Sequence, residues 1–146
     1  MHQAVGTDIV AVPRIETLIR DRGESFLNRW FTAHEIDYCS GKAAPSRHFA
    51  ARFAAKEAVL KALPVEWDGP LPWRSIEIVS RPRGAPSVRL HGALLAAATR
   101  AGTSEISVSL SHCDEYATAT ALVTATSAGD PGHEVSPDAE DARRRA

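Results

Sequence analysis

The first third of the chain alternates apolar and polar residues in a pattern that predicts one strand followed by short helices. Residues 4–12, AVGTDIVAV, form a β-rich run, and Pro13 suits the first turn of a helix that continues to Gly23. Two short segments, SFLNRWF and TAHEIDYCSG, predict two more helices. Thr32 and Glu35 make a capping-box pattern at the start of the second of these.

The remaining pattern predicts one long helix and then two pairs of strands that flank another helix. Residues 46–63 contain no Gly or Pro and many Ala, so they predict the longest helix, and Pro64 ends it. The later strands and helix are predicted, in order, in WRSIEIV, APSVRL, GALLAAATRAG, EISVSLSH and YATATALVTA. The resulting order, β-α-α-α-α-β-β-α-β-β, indicates the α+β fold class.

Composition and charge narrow the class of protein. The 146 residues carry a net charge of −1, whereas a general nucleic-acid binder needs a basic excess, so we expect no nucleic-acid partner. Cys39 and Cys113 lie far apart without CxxC spacing, which favours two reduced thiols. The chain shows no signal peptide and no apolar run of about 18 residues. We therefore expect a cytoplasmic protein with no membrane partner.

The end of the chain differs in composition from the rest. Residues 127–146 hold five acidic and three basic residues, and one Val is their only large aliphatic residue. Such a segment has almost nothing to bury, so it predicts a disordered tail. A single domain, residues 1–126, remains.

The long predicted helix carries the charged residues Lys56, Glu57 and Lys61 among apolar positions. Its large apolar residues share one stripe: Phe49, Phe53, Leu60 and Leu63. Glu57 and Lys61 fall beside the stripe and are four residues apart, so a surface ion pair worth ~0.2–0.5 kcal/mol is one explanation for them. Lys56 projects from the stripe itself, where a lysine needs a partner.

A second acidic residue, Asp8, stands in the predicted first strand beside Gly6 and large aliphatic residues. Strand propensity disfavours aspartate there, so Asp8 is either a hydrogen-bonded structural residue or a ligand. Two carboxylates plus substrate phosphates are the usual way in which proteins hold Mg²⁺. If Asp8 and Glu57 meet, they predict a magnesium site and a phosphate-bearing substrate.

The remaining sequence features exclude several classes of enzyme and assign no function by themselves. His112 ends a predicted strand, a position where a lone histidine is usually structural. No GxSxG elbow, P-loop or HExxH motif occurs, so serine-hydrolase, P-loop nucleotide-hydrolase and zinc-protease functions have no support.

Five segments, in this order and spacing, resemble the holo-(acyl-carrier-protein) synthases, the small-type 4'-phosphopantetheinyl transferase family: VGTDIVAVPRI, FTAHEIDYC, ARFAAKEAVLKAL, PWRSIEIV and ISVSLSH. The resemblance covers about residues 4–125. It implies a 4'-phosphopantetheinyl transferase-like fold, in which an antiparallel sheet packs with a long central helix. It also implies a Mg²⁺-dependent enzyme that moves the phosphopantetheine of coenzyme A to a serine of apo acyl carrier protein and releases adenosine 3',5'-bisphosphate.

The resemblance implies roles for the charged residues near the predicted metal site. Asp8 and Glu57 correspond to the metal ligands, which also meet the coenzyme A pyrophosphate, and Lys61 corresponds to the contact to the departing phosphate. All three are therefore expected to be catalytic. The base that takes the proton of the carrier serine stays open between Glu57 and a metal-bound water that Glu57 orients.

The nucleotide end of coenzyme A has its own implied contacts. Arg52 and Lys56 correspond either to cationic contacts of the cofactor phosphates or to structural ion-pair partners, and His112 is expected to hold the nucleotide end. This sequence departs from the family after Leu63, where PVEWDGPLPW replaces a glycine-rich turn and Pro64 removes a backbone donor. We expect a weaker or differently arranged contact to adenosine bisphosphate there.

The resemblance also implies partners. Acyl carrier proteins present an acidic helix, and Arg14, Leu18 and Arg22 form one stripe on the first predicted helix, away from the KEAxxK motif. This stripe is either a carrier-docking surface or a solvated basic edge. Small-type family members form homotrimers with shared active sites, so the apolar faces of TATALV and VSL are expected to be partly at subunit interfaces.

Two other functions remain in competition. The runner-up is a noncatalytic family member that acts as a cofactor-binding or assembly module of a synthase complex, although the presence of Asp8, Glu57 and Lys61 disfavours it. The third is an unrelated α+β domain. The sequence leaves open whether the carrier protein serves fatty acid, polyketide or peptide synthesis.

Overall fold

The structure is a computed structural model that describes residues 1–126, and the predicted tail lies outside the described residues. The helices and strands are β1 (His2–Ala11), α1 (Val12–Arg22), α2 (Glu24–Trp30), α3 (Ala33–Ser40), α4 (Pro45–Ala62), β2 (Ile76–Val79), β3 (Ser87–Leu90), α5 (Gly92–Arg100), β4 (Thr103–His112) and β5 (Tyr116–Ala125). A single 3₁₀ turn, Trp73–Ser75, precedes β2.

The predicted order of elements is confirmed, with small shifts at their ends. β1 begins two residues before the predicted strand, and α4 is displaced by one residue from the predicted helix. The capping box is present in α3, because the Glu35 backbone N–H donates to Thr32 Oγ1 and the Thr32 N–H donates to the Glu35 carboxylate. The residues near each end therefore decide where these helices and strands begin and end.

The five strands form one antiparallel sheet in the order β1-β5-β4-β3-β2. β5 lies between β1 and β4 and pairs with each of them over almost its whole length. The register places Asp8 opposite Ala119 and His112 opposite Ala117. Asp8 and His112 therefore belong to one sheet but to strands on either side of β5.

α4 lies across the sheet and is buried around most of its circumference. It packs against β1, β5 and β4 and also against α1, α3 and β2. The single apolar stripe predicted from periodicity is therefore too narrow, because α4 has a core on two sides. Phe49, Phe53 and Leu63 are buried as expected, Leu60 is half-buried, and the positions around Lys56 are buried as well.

The expectation that the apolar faces of TATALV and VSL lie partly at subunit interfaces stays a prediction, which the burial of most of these apolar residues restricts to Leu110 and Leu122. Ala119, Ala121, Val123 and Val108 are buried in the core of the chain's own fold. The other face of the sheet carries the exposed large apolar residues, which are Val5, Ile9 and Leu122. Among residues 1–126, no helix is long and apolar enough to cross a bilayer.

Candidate active site

β1 and α4 approach each other most closely at Gly6. A Cβ atom at this position would lie 1.9 Å from the carbonyl oxygen of Ala58, so only glycine fits. Asp8 is two residues further along β1 and therefore projects from the same face of the strand. This close approach places Asp8 against the last turns of α4, which carry Glu57 and Lys61.

Asp8, Glu57 and Lys61 form one charged cluster. Lys61 Nζ donates to Asp8 Oδ1 at 3.1 Å and to the carbonyl oxygen of Thr7 at 2.9 Å. The Lys61 side chain is 53% exposed and that of Asp8 is 19% exposed. Burial raises the pKa of Glu57, and the Asp8 carboxylate raises this pKa further, whereas Lys61 and Arg14 oppose the rise. The structure thus brings together the three residues that the sequence singled out for catalysis.

Lys56 faces the opposite environment, although it directly precedes Glu57. Its side chain is 0% exposed, and its Nζ donates to Glu35 Oε2 at 2.8 Å and to the carbonyl oxygens of Trp73 and Ile76. Three acceptors use the three protons of the ammonium group. The predicted cofactor contact for Lys56 is therefore corrected to the second alternative, a structural ion-pair partner.

A second site, which we call the basic cavity, has a volume of about 230 Å³. Its polar lining consists of Tyr38, His48, Arg52, Ser80, Arg81 and His112. Arg52 is 3% exposed, stacks on the Tyr38 ring at 4.3 Å and donates from Nη2 to Ser80 Oγ at 2.6 Å. The Arg52 Nε atom is buried and makes no hydrogen bond within residues 1–126. The structure thus places Arg52 and His112 in one cavity.

The basic cavity and the carboxylate cluster are separate in a single chain. Asp8, Glu57 and Lys61 are absent from the lining of the basic cavity. Arg52 and Glu57 are five residues apart on α4, which turns their side chains about 140° away from each other. The residues predicted to share one cofactor therefore form two sites on one chain.

The predicted stripe on α1 lines a third cavity of about 300 Å³, which we call the α1 cavity. Arg14, Leu18 and Arg22 all line it, so the three residues share one face of α1. The remaining lining residues are Ser25, Phe26, Arg29, Trp30 and Phe53. Trp30 stacks on Phe53 at a ring distance of 3.9 Å. The cavity therefore combines an aromatic floor with three arginines at its rim.

The expectation that Arg14 lies away from the KEAxxK motif is wrong. The Arg14 guanidinium lies 5.9 Å from the centre of the Phe53 ring on α4, and its charge lowers the pKa of Glu57. The cause is the packing of α1 on α4, which helical periodicity alone could not show. Arg22, two turns further along α1, lines the α1 cavity without that influence on Glu57.

Several residues of these sites were not found from the sequence. Glu35 could be recognised only as a capping residue, although it also neutralises Lys56 and accepts from the Ile78 N–H at 2.8 Å. Tyr38 on α3 and His48 in the first turn of α4 belong to predicted helices, but no motif in the sequence singled out either residue. Arg29 lies on α2, and only its place seven residues after Arg22 in a basic segment could have indicated it.

The donor set of the carboxylate cluster fits a divalent cation that also binds water or substrate. Within residues 1–126, no group of three or more His, Cys, Asp or Glu side chains is arranged to hold a metal by itself. Asp8 and Glu57 are nevertheless close enough for the charge of one to raise the pKa of the other. A cation between two such carboxylates would relieve this repulsion, and Mg²⁺ is commonly held by one or two carboxylates together with phosphates.

Comparison with known families identifies the class of protein. Residues 4–121 match the model of the 4'-phosphopantetheinyl transferase superfamily, and the chain belongs to this superfamily. The predicted family is thereby confirmed. Among curated relatives, the holo-[acyl-carrier-protein] synthase of Dehalococcoides mccartyi is 48% identical over 78% of this chain and 92% of its own. That of Geobacter sulfurreducens is 43% identical over 78% and 90%.

Solved structures confirm the predicted fold. The Chronobacterium ammoniagenes ACPS–CoA complex superimposes with a TM-score of 0.77 and 27% identity, over 86% of this chain and 99% of that one. The Helicobacter pylori holo-[acyl-carrier-protein] synthase in complex with coenzyme A gives a TM-score of 0.70 and 32% identity, over 82% and 99%. Both comparisons include almost the whole of the solved chains.

Proposed function

We propose that this chain transfers the 4'-phosphopantetheine group of coenzyme A to a serine of apo acyl carrier protein and releases adenosine 3',5'-bisphosphate. The observation that carries the proposal is the cluster of Asp8, Glu57 and Lys61 in a chain of this superfamily. The close relatives named holo-[acyl-carrier-protein] synthase support the choice of carrier protein as acceptor. Coenzyme A in two structural relatives supports the choice of donor.

Asp8 and Glu57 would hold Mg²⁺, which would neutralise the negative charge of the coenzyme A pyrophosphate. Glu57 accepts the proton of the carrier serine hydroxyl, directly or through a water molecule. A half-buried carboxylate with a raised pKa is a better base than an exposed one. Lys61 is half-exposed, so its ammonium group would reach the departing phosphate from beside Asp8 and offset its charge.

Arg52 and His112 bind the nucleotide end of coenzyme A in the basic cavity. Within the part of the chain that the structure describes, Arg52 Nε has no hydrogen-bond partner and no carboxylate lines the cavity, and both observations favour an anionic group there. Because this cavity and the carboxylate cluster are separate in one chain, we propose that a coenzyme A molecule spans two chains of a homotrimer. The exposed apolar residues Val5, Ile9 and Leu122 then belong to the subunit contact.

The α1 cavity receives the carrier protein. Arg14, Arg22 and Arg29 would meet the acidic side chains of the carrier helix, and Leu18 with the aromatic floor would accept an apolar side chain. We propose that residues 1–126 contain everything needed for the reaction. Deletion of residues 127–146 should therefore leave transfer unchanged.

Intact-mass spectrometry of the carrier tests this function. Apo acyl carrier protein, coenzyme A, Mg²⁺ and the full chain should give a carrier heavier by one phosphopantetheine group, and EDTA should abolish the gain. If several apo carriers show no gain, the noncatalytic assembly module becomes the better explanation.

A further inference from the structure

The basic cavity contains a pair of histidines, of which the proposed transfer assigns a role only to His112. The rings of His48 on α4 and His112 on β4 meet edge to face, with their centres 5.4 Å apart. His48 is half-buried, and both side chains line the cavity. His48 was not a candidate site residue in the sequence, because nothing in the pattern of α4 showed that β4 ends beside it.

Every element packed around His48 contributes positive or neutral groups to the cavity. Tyr38 comes from α3, Arg52 from α4, Arg81 from the segment after β2, and His112 from β4. Lys42, in the loop after α3, does not line the cavity, but its Nζ lies 4.2 Å from the centre of the Tyr38 ring. The nearby Asp114 carboxylate forms an ion pair with Arg47. Among residues 1–126, no carboxylate lines the cavity. An anion in the cavity would thus find several cationic partners and no competing charge of its own sign.

The neutral imidazole is favoured at His48 in this environment. Burial lowers the pKa of His48, and the charges of His112, Arg52, Lys42 and Arg47 lower it further. All of these causes except burial are repulsions between positive charges. A bound anion would remove that repulsion and favour the protonated ring instead.

We propose that the His48–His112 pair takes up a proton from solvent when a phosphate monoester binds in the basic cavity, so that binding of the ligand is coupled to pH. This inference rests on the proposed function, in which the 3'-phosphate of coenzyme A is that monoester. The proton goes to an imidazole nitrogen, which then donates a charge-assisted hydrogen bond to a phosphate oxygen. The buried guanidinium of Arg52 provides the permanent charge beside it.

The direction of the pH effect follows from which state holds the proton. The bound state holds more protons than the free state, so affinity should rise as pH falls from 8 towards 7. For one linked proton the limit is about tenfold per pH unit. A phosphate monoester has its second pKa near 6 and is almost fully ionised above pH 7. The uptake therefore reports on the histidines and not on the ligand.

Isothermal titration calorimetry in two buffers with different ionisation enthalpies measures the proton uptake. Coenzyme A and dephospho-coenzyme A, which lacks the 3'-phosphate, are each titrated into the full chain at pH 7.5 without Mg²⁺. We expect coenzyme A to take up about half a proton or more beyond dephospho-coenzyme A. His48→Gln should reduce this difference at least by half. His34→Gln, at an exposed histidine that lines a different cavity, should leave it unchanged.

Equal proton uptake with the two ligands, or an unchanged difference in His48→Gln, would overturn the inference. The intact-mass assay distinguishes this failure from that of the proposed function. Transfer to the carrier together with equal uptake removes only the histidine linkage. Proton uptake without transfer removes only the transferase activity, and no binding of coenzyme A at all removes both.

Discussion

Lys56 and Lys61 lie five residues apart on the same helix and have opposite environments. Lys56 is 0% exposed and gives its three protons to Glu35 and two backbone carbonyls. Lys61 is 53% exposed and shares its ammonium group between Asp8 and a backbone carbonyl. Lys56 therefore holds α4 against the rest of the fold, whereas Lys61 remains accessible to a substrate.

The difference shows what a helical repeat can and cannot reveal. Periodicity fixes the angle between Lys56 and Lys61, but the neighbours on each side decide which of them loses contact with water. α3 and β2 cover Lys56, whereas β1 leaves Lys61 at the edge of the fold. We therefore divide α4 into a structural side, which carries Lys56, and a chemical side, which carries Glu57 and Lys61. Variants of the two sides should differ in whether they lose stability or activity.

The largest effect is expected from Lys56→Met. Removing one member of a fully buried ion pair leaves Glu35 unpaired and should cost about 3–5 kcal/mol of the free energy of unfolding. The matched variant Lys61→Met removes a half-exposed partner and should cost less than about 1 kcal/mol. Urea unfolding followed by circular dichroism compares the two. Similar losses in both variants would contradict the division.

Asp8→Ala and Glu57→Ala should show the reverse pattern. Each removes a proposed metal ligand without deleting a core contact, so kcat/KM should fall by about 10²–10³-fold. The free energy of unfolding should change by less than about 1 kcal/mol, because loss of either carboxylate also removes repulsion from the other. Initial rates and urea unfolding on the same samples provide the check. Near-normal turnover in either variant would refute the metal assignment.

Much of the fold was predictable because its signals are local. The capping residue Thr32 predicted α3, the Ala-rich run predicted α4, and the alternation of apolar and polar residues predicted β4 and β5. With comparable local signals elsewhere, all ten elements were predicted in the observed order. Asp8 and Glu57 could be found because a strand aspartate and a helical glutamate are each unusual beside large apolar residues. These residues stand out without any knowledge of their neighbours in space.

The remainder depended on packing between distant parts of the chain. Lys56 needed Glu35 and the backbone of β2 before its role was clear. Arg14 was misplaced because the packing of α1 on α4 brings it to Phe53. His48 acquires significance only from the end of β4. Each of these contacts joins segments that are distant in the sequence, and no sequence pattern shows which distant segments meet.

A smaller effect is expected where β1 meets α4. Gly6→Ala would force a Cβ against the Ala58 carbonyl oxygen, and the separation of β1 from α4 should cost about 1–3 kcal/mol of the free energy of unfolding. Because Asp8 would move with the strand, activity should fall more than the loss of folded protein explains. Rates are corrected for the folded fraction measured by circular dichroism.

Gly41→Ala is the matched control for Gly6→Ala. Gly41 has a φ of −79°, and the nearest neighbour of a new Cβ lies at 3.6 Å. This substitution should be neutral or stabilise the fold by up to about 1 kcal/mol. If Gly6→Ala behaves like Gly41→Ala, the close approach does not position Asp8.

The smallest effect concerns the carrier-docking side of the molecule. Arg22→Glu should reduce kcat/KM for the carrier about tenfold, as expected for one lost charge-assisted contact of ~1.5 kcal/mol, with the KM for coenzyme A unchanged. Arg22 is a cleaner position for this test than Arg14, because the charge of Arg14 also lowers the pKa of Glu57. Steady-state kinetics with each substrate varied in turn separate the two effects.

Arg20→Glu provides the control for Arg22→Glu. Arg20 lies in the same last turn of α1 but pairs with Asp21 and does not line the α1 cavity. Both variants replace a positive charge near the helix end by a negative one, so only docking distinguishes them. The carrier affinity of Arg22→Glu should also depend less on salt than that of the wild type. Equal effects of the two variants would remove the α1 cavity as the docking site.

The dependence of the transfer rate on Mg²⁺ is the most direct test of the proposed metal site at Asp8 and Glu57. Asp8→Asn keeps the size of the side chain and an acceptor for Lys61, but it removes one negative charge from the proposed metal site. Fewer ligand charges weaken binding of a divalent cation, so half-saturation should require about tenfold more Mg²⁺ or higher. We expect this rise in the half-saturating Mg²⁺ concentration while Asp8→Asn remains folded. The same half-saturating Mg²⁺ concentration in wild type and Asp8→Asn would contradict it.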